Sequence, residues 1–111
     1  MFFTFSQNNS GGYFVEDEER GVNECVIVEA DTAEAAIERL HEIGADVDGF
    51  WSFCSCCGER WNEWLDDDDG TESPELYNTP IEKQTAQMFR KAAFVHYADG
   101  NFKKFEFPES A

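Results

Sequence analysis

Three of the four cysteines of this 111-residue chain fall within four positions, in the run Cys54-Ser55-Cys56-Cys57-Gly58-Glu59-Arg60-Trp61. Thiols that close together can ligate a metal, close a disulfide or exchange electrons. The spacing Cys54-x-x-Cys57-Gly58 favours the first: two thiolates three positions apart can grip one zinc, and the glycine permits the tight turn that follows. Cys56 adds a third donor. A structural zinc takes four ligands, so one must come from elsewhere. His96, His41 and Cys25 are the candidates. His96 is preferred, because ligation there would tie the cysteine loop to the last hairpin. A lone strand histidine is nonetheless more often a satisfied core residue, and Cys25 beside Val26 reads equally well as core. A thioredoxin-type exchange is disfavoured, since the motif does not open a helix after a βαβ strand. No His-Glu-x-x-His pair and no deaminase-type His-x-Glu with Pro-Cys-x-x-Cys is present, so the zinc expected is structural and the chain is not read as an enzyme.

The second chemical feature is charge. The chain holds 24 acidic and 8 basic residues, a formal net charge of −16. Residues 1–82 carry 21 of the acids against three arginines, whereas residues 83–111 carry three acids against five bases. A surface of that sign repels nucleic acid and anionic membranes and attracts basic proteins. Two acidic groupings stand out as partner-binding candidates. Glu34, Glu38 and Glu42 recur every four residues, which lines one face of a helix with carboxylates about 6 Å apart. Asp66, Asp67, Asp68 and Asp69 form an unbroken run before Gly70 and read as a loop. Like charges at i, i+4 cost a helix a few tenths of a kcal/mol per pair, offset in part by Arg39 one turn from Glu42. A row kept at a cost suggests a use besides folding; the plainer reading is that it keeps a small protein dispersed. Trp51, Trp61 and Trp64 could stack bases, but with this charge they read as packing around the cysteine loop.

These groups need elements to hold them. Residues 1–6 alternate like a strand, residues 7–12 are rich in turn formers, and residues 13–15 start a return strand. Residues 24–30 are β-branched and strand-like. A helix is predicted from an Asp31 N-cap, with Glu34 completing a box-like pattern, to a stop at Gly44. Its apolar face is Ala33, Ala36, Ile37, Leu40 and Ile43. Residues 82–91 could form a second short helix. Residues 93–98 and 101–107 read as a hairpin turning on Asp99-Gly100 in a two-residue loop. The expectation is a single α+β domain over 1–111. It would pair an antiparallel sheet of four to five strands with one main helix and a Cys-rich, zinc-stapled loop. No apolar run approaches the roughly 18–20 residues that span a bilayer, and the first residues lack a basic leader pattern, so a soluble intracellular protein is expected.

Four stretches together carry a resemblance: Gln7-Asn8-Asn9-Ser10-Gly11-Gly12, Val26-Ile27-Val28-Glu29-Ala30-Asp31, Cys56-Cys57-Gly58-Glu59-Arg60-Trp61 and Val95-His96-Tyr97-Ala98-Asp99-Gly100. The chain resembles a family of small uncharacterised proteins carried by tailed bacteriophages, with a Cys-x-Cys-Cys-Gly-[Asp/Glu]-Arg-Trp motif. The resemblance implies a protein made in the cytoplasm of an infected bacterium and transfers no functional residue. Small acidic phage proteins often act on host machinery, including by imitating DNA. The leading expectation is therefore an acidic protein that binds and inhibits a host defence or nucleic-acid-binding protein. The rivals are a nucleotide-signal binder using Arg90, Lys91, Lys103 and Lys104, and an accessory structural phage protein.

Overall fold

The structure is a computed structural model that describes residues 1–7, 15–45, 47, 53–54, 58–59, 61, 66–76, 79–86 and 92–108. In chain order the elements are β1 (Phe2–Ser6), β2 (Cys25–Glu29), α1 (Ala33–Gly44), β3 (Phe53–Cys54), β4 (Gly58–Glu59), β5 (Glu75–Leu76), β6 (Thr79–Pro80), β7 (Ala92–His96) and β8 (Phe102–Glu106). The class is α+β, with one α-helix among the described residues.

The main sheet has four strands in the order β1-β2-β7-β8. It is mixed rather than antiparallel. β1 and β8 run antiparallel to their neighbours, but the central pair β2 and β7 is parallel, with Val26 opposite Phe94 and Val28 opposite His96. The reason is burial. A parallel pair needs both faces covered, and its strands then read as continuous apolar runs. Val26, Ile27, Val28 and Val95 are all fully buried, on alternate faces. On one face Phe3, Phe5, Val26 and Val28 pack against Ala33, Ala36, Leu40 and Ile43 of α1, with Trp61 and Val22. On the other face Cys25, Ile27, Ala93 and Val95 pack under Leu76, Ile81 and Phe107. The molecule therefore has three layers: helix, sheet, and the β5–β6 segment. Gln84 fastens that third layer, its Nε2 donating to the Leu76 and Thr79 carbonyls at 2.7 and 3.1 Å.

Local differences from the sequence reading have simple causes. The N-cap of α1 is Thr32, not Asp31: its hydroxyl accepts the Ala35 N–H at 3.1 Å, and Glu34 closes no capping box. Of the expected helix over 82–91, residues 82–86 are not α-helical, Ile81–Lys83 being a single 3-10 turn preceded by Pro80, and residues 87–91 lie outside the described residues. The β7–β8 loop has three residues rather than two. Gly100 N–H donates to the Tyr97 carbonyl at 3.0 Å and Gly100 takes φ +93°, a turn followed by a left-handed residue that glycine adopts without steric cost. Of the expected turn at 7–12 only Gln7 is described, bridged to Trp61; residues 8–12, and residues 13 and 14 of the expected return strand, lie outside the described residues, and Val15 is in no strand. Among the described residues no helix is long and apolar enough to cross a membrane.

Candidate protein-interaction face

α1 begins immediately after β2 and runs back over the sheet, burying Ala33, Ala36, Leu40 and Ile43. The same 3.6-residue period that buries those positions turns Glu34, Glu38 and Glu42 to solvent, and all three are exposed. Arg39 Nη1 lies 3.2 Å from Glu42 Oε2, so the expected offsetting pair forms; both side chains are largely solvated and the pair contributes little.

The aspartate run is not a free loop. Asp67–Asp69 is a 3-10 turn in which Asp69 Oδ2 accepts the Asp66 N–H at 2.7 Å. Asp67 Oδ1 accepts the N–H of Ala33, the first residue of α1, at 2.8 Å. That bond satisfies one orphan donor of the helix and sets a negative group against its partially positive end. Beyond the run, Thr71 and Phe2 exchange backbone hydrogen bonds of 2.8 and 2.9 Å along the outer edge of β1. Gly70 lies close against this edge: a Cβ there would sit 2.8 Å from Phe3 Cζ and 3.0 Å from Met1 Cε. Two groupings more than twenty residues apart in sequence are thus joined. Asp66, Asp67, Asp68 and Asp69 stand at the N-terminal end of the helix whose exposed side carries Glu34, Glu38 and Glu42, and all seven are exposed. Sequence reasoning proposed both groupings but could not see the bond that links them.

Asp67→Ala is the direct probe of that link. It removes a capping interaction of the kind that contributes about 1 kcal/mol. Thermal unfolding should show a loss of that size, while Asp68→Ala, whose side chain makes no hydrogen bond among the described residues, should leave the midpoint unchanged. Equal effects of the two would mean that the run is not anchored through Asp67.

Of the basic candidates, Arg90 and Lys91 lie outside the described residues, and the other two lie at the opposite edge of the sheet. Lys103 and Lys104 sit on β8, three strand spacings or about 14 Å from β1. Lys104 pairs with Glu18 and lies 3.7 Å from Glu106. Lys103 Nζ stands 5.0 Å from the centroid of the Phe105 ring.

Of the candidate metal ligands, only Cys25, His41 and His96 have described side chains. Cys56 and Cys57 lie outside the described residues, and of Cys54 only the strand backbone is described. Among the described residues no three ligand-type side chains converge. Cys25 is buried on the sheet face away from α1. His96 is 2% exposed, and its Nε2 lies 2.8 Å from the Gly21 carbonyl. A carbonyl can only accept, so Nε2 carries the proton and donates. Nδ1 is then the bare nitrogen, and it is buried without a hydrogen-bond partner among the described residues. A histidine that donates one ring N–H to a carbonyl and leaves the other nitrogen bare has the electronic arrangement of a metal ligand. Its position is less favourable. Trp61 bridges to the outer side of Gln7, level with Glu24, whereas His96 is level with Val28 three strand spacings away, which separates the two backbones by about 20 Å. Cys57 precedes Trp61 by four residues, a reach of about 13 Å when extended. His41 lies in the last turn of α1, at the end of the sheet where Trp61 returns.

His96 also anchors something that sequence reading did not anticipate. Asp17 caps the 3-10 turn Glu18–Arg20, which ends at Gly21 with φ +69°. That turn lays the Gly21 backbone directly on the His96 ring, and Phe102 stacks beside it with centroids 5.0 Å apart and planes tilted by 31°. Burial lowers the His96 pKa below its usual 6.5, the Gly21 hydrogen bond opposes this, and nearby Arg39 adds to the lowering. The available signal was the Glu-Glu-Arg-Gly run, a short helical turn stopped by glycine.

No curated protein and no solved structure matches the chain. A family model does, and over residues 1–111, so the chain belongs to the family described as Domain of unknown function (DUF7296).

Proposed function

We propose that this chain is a phage-encoded acidic interaction protein, made in the cytoplasm of the infected bacterium, that binds and inhibits a basic nucleic-acid-binding host protein. The face formed by Glu34, Glu38, Glu42 and Asp66, Asp67, Asp68 and Asp69 stands in for phosphates. The observation that carries the reading is the Asp67–Ala33 bond, which makes one rigid acidic surface of two separate runs. Carboxylates at about 6 Å along a helix offer a basic groove a repeating charge comparable with a phosphate strand. Such a face needs no bound nucleotide and no reacting group, and the reading assigns the chain no catalysis. Its test is competition: duplex DNA should displace the chain from its partner, and binding should weaken steeply with salt.

The phage origin rests on the sequence resemblance. The cysteine segment, in this reading, is held by a structural zinc on Cys54, Cys56 and Cys57. The fourth donor is His96 through Nδ1, or His41, which α1 brings nearer to Trp61. Elemental analysis of the purified chain should find about one zinc per molecule. A content near zero, with the chain folded, removes the metal from the account and leaves the acidic face standing.

A further inference from the structure

The two edges of the main sheet are treated differently. Thr71 and Trp61 bridge to residues at and beyond the ends of β1. β8 has β7 on one side and, among the described residues, nothing on the other until the Ala86 N–H meets the Pro108 carbonyl at 2.8 Å. The Tyr97 N–H to Asn101 carbonyl bond, 2.8 Å, fixes the phase of the ladder. Asn101, Lys103 and Phe105 bond inwards to β7, so Phe102, Lys104 and Glu106 direct their backbone groups outwards. Those three are exposed, as is Lys103, and Phe105 is half-buried. An open strand edge is a template for another strand.

We infer that this edge pairs with the β8 of a second copy, forming a two-fold dimer with a continuous eight-stranded sheet. The occupant follows from the sequence Lys104-Phe105-Glu106. In antiparallel pairing about a two-fold axis at Phe105, Lys104 lies opposite the second copy's Glu106, Glu106 opposite its Lys104, and the two Phe105 rings face each other. The phase agrees: the outward-facing Lys104 and Glu106 form the hydrogen-bonded pairs, and Phe105 takes the non-bonded site where side chains approach closest. Cross-strand ion pairs and aromatic pairs are both favourable there. Other registers are worse. An axis at Lys103, Lys104 or Glu106 sets like charges opposite each other, and an axis at Phe102 runs the second strand into the Ala98–Gly100 turn. The overall charge is also least opposed here. β8 itself holds two bases and one acid, Lys103, Lys104 and Glu106, the nearby Glu18 is paired with Lys104, and the acidic run lies at the far edge. Such a dimer joins the least acidic edges and carries its two acidic faces outwards. The ladder is short, because the Ala86–Pro108 bond bounds it, so the dimer is expected to form in the micromolar range.

The test is sedimentation equilibrium of the full chain from about 1 to 200 μM at physiological salt, with circular dichroism to verify folding. Wild type should dimerise. Lys104→Glu and Glu106→Lys, which each set like charges across the axis, should weaken the dimer by about tenfold, and the double exchange K104E/E106K should restore it. A monomer at every concentration overturns the inference. So does a dimer that the single variants leave unchanged, since another face would then hold it.

Discussion

Gly21→Ala is expected to lower the melting temperature by about 10–20 °C, the largest effect of any single substitution considered. Two costs add. At φ +69° an L side chain is strained by about 1–2 kcal/mol. A Cβ there would also lie 2.7 Å from His96 Nε2 and 2.8 Å from Phe102 Cδ2. These are atoms of stacked rings rather than flexible chain ends, and forcing them apart typically costs a further 1–3 kcal/mol or so. The shift would also lengthen the Gly21–His96 hydrogen bond. The same cage makes the wild type sensitive to acid. With His41 as the fourth zinc donor, His96 Nδ1 is free to titrate, and protonating it places a charge in a buried site near Arg39 with no acceptor for the new N–H among the described residues. The folded-state pKa is therefore below that of the unfolded chain, and the unfolded chain binds more protons between the two values. Stability is complete above pH 6.5 and falls as the pH drops from 6.5 towards the lowered value. His96→Gln should flatten that part of the profile. A wild-type profile flat through this window, or a Gly21→Ala midpoint within about 2 °C of wild type, would contradict the cage.

Neutralising the helix row is the second large effect. In the triple variant Glu34→Gln, Glu38→Gln, Glu42→Gln the fold should persist. Two i, i+4 repulsions disappear, each costing a few tenths of a kcal/mol, and the Arg39–Glu42 pair of similar size is lost with them. Binding should behave oppositely. Three exposed carboxylates, each contributing about 0.3–1 kcal/mol to a basic partner, amount to a loss of about five- to 150-fold in affinity at low salt. Much of that loss should be in the association rate, since solvated charges act mainly by steering. A variant of unchanged stability and weakened binding assigns the row to recognition. Unchanged binding would return it to the role of a solubilising face.

How far the sequence revealed this arrangement depends on the element. The helix was legible because Ala33, Ala36, Leu40 and Ile43 repeat with its period, and the β7–β8 hairpin because Asp99-Gly100 separates two strand-like runs. The parallel centre of the sheet was missed although its signal was present. Cys25-Val26-Ile27-Val28 and Ala93-Phe94-Val95 are continuous apolar runs, which mark strands buried on both faces, whereas the expectation was an antiparallel sheet throughout. The third layer was hidden with it: Leu76 and Ile81 reach Ile27 and Val95 across about fifty and fifteen positions, and no local pattern encodes that packing. Thr32 displaced Asp31 as the cap by a single position, a shift that periodicity cannot resolve. The acidic face was half legible. Its residues stand out by composition, but the Asp67–Ala33 bond spans 34 positions, and no local pattern encodes a contact at that distance. The Gly21–His96 contact, 75 residues apart, was hidden likewise.

The account turns on whether the acidic face selects a basic host protein. The most direct measurement is affinity capture from bacterial lysate at about 50 and about 500 mM salt, with wild type and the triple glutamine variant, read by mass spectrometry. Screening shortens from over 10 Å to about 4 Å across that range. The expected result is one nucleic-acid-binding protein enriched by wild type at low salt, lost at high salt, and lost with the variant. Capture that is indifferent to both salt and the glutamine substitutions, or no specific capture under any condition, would contradict the account.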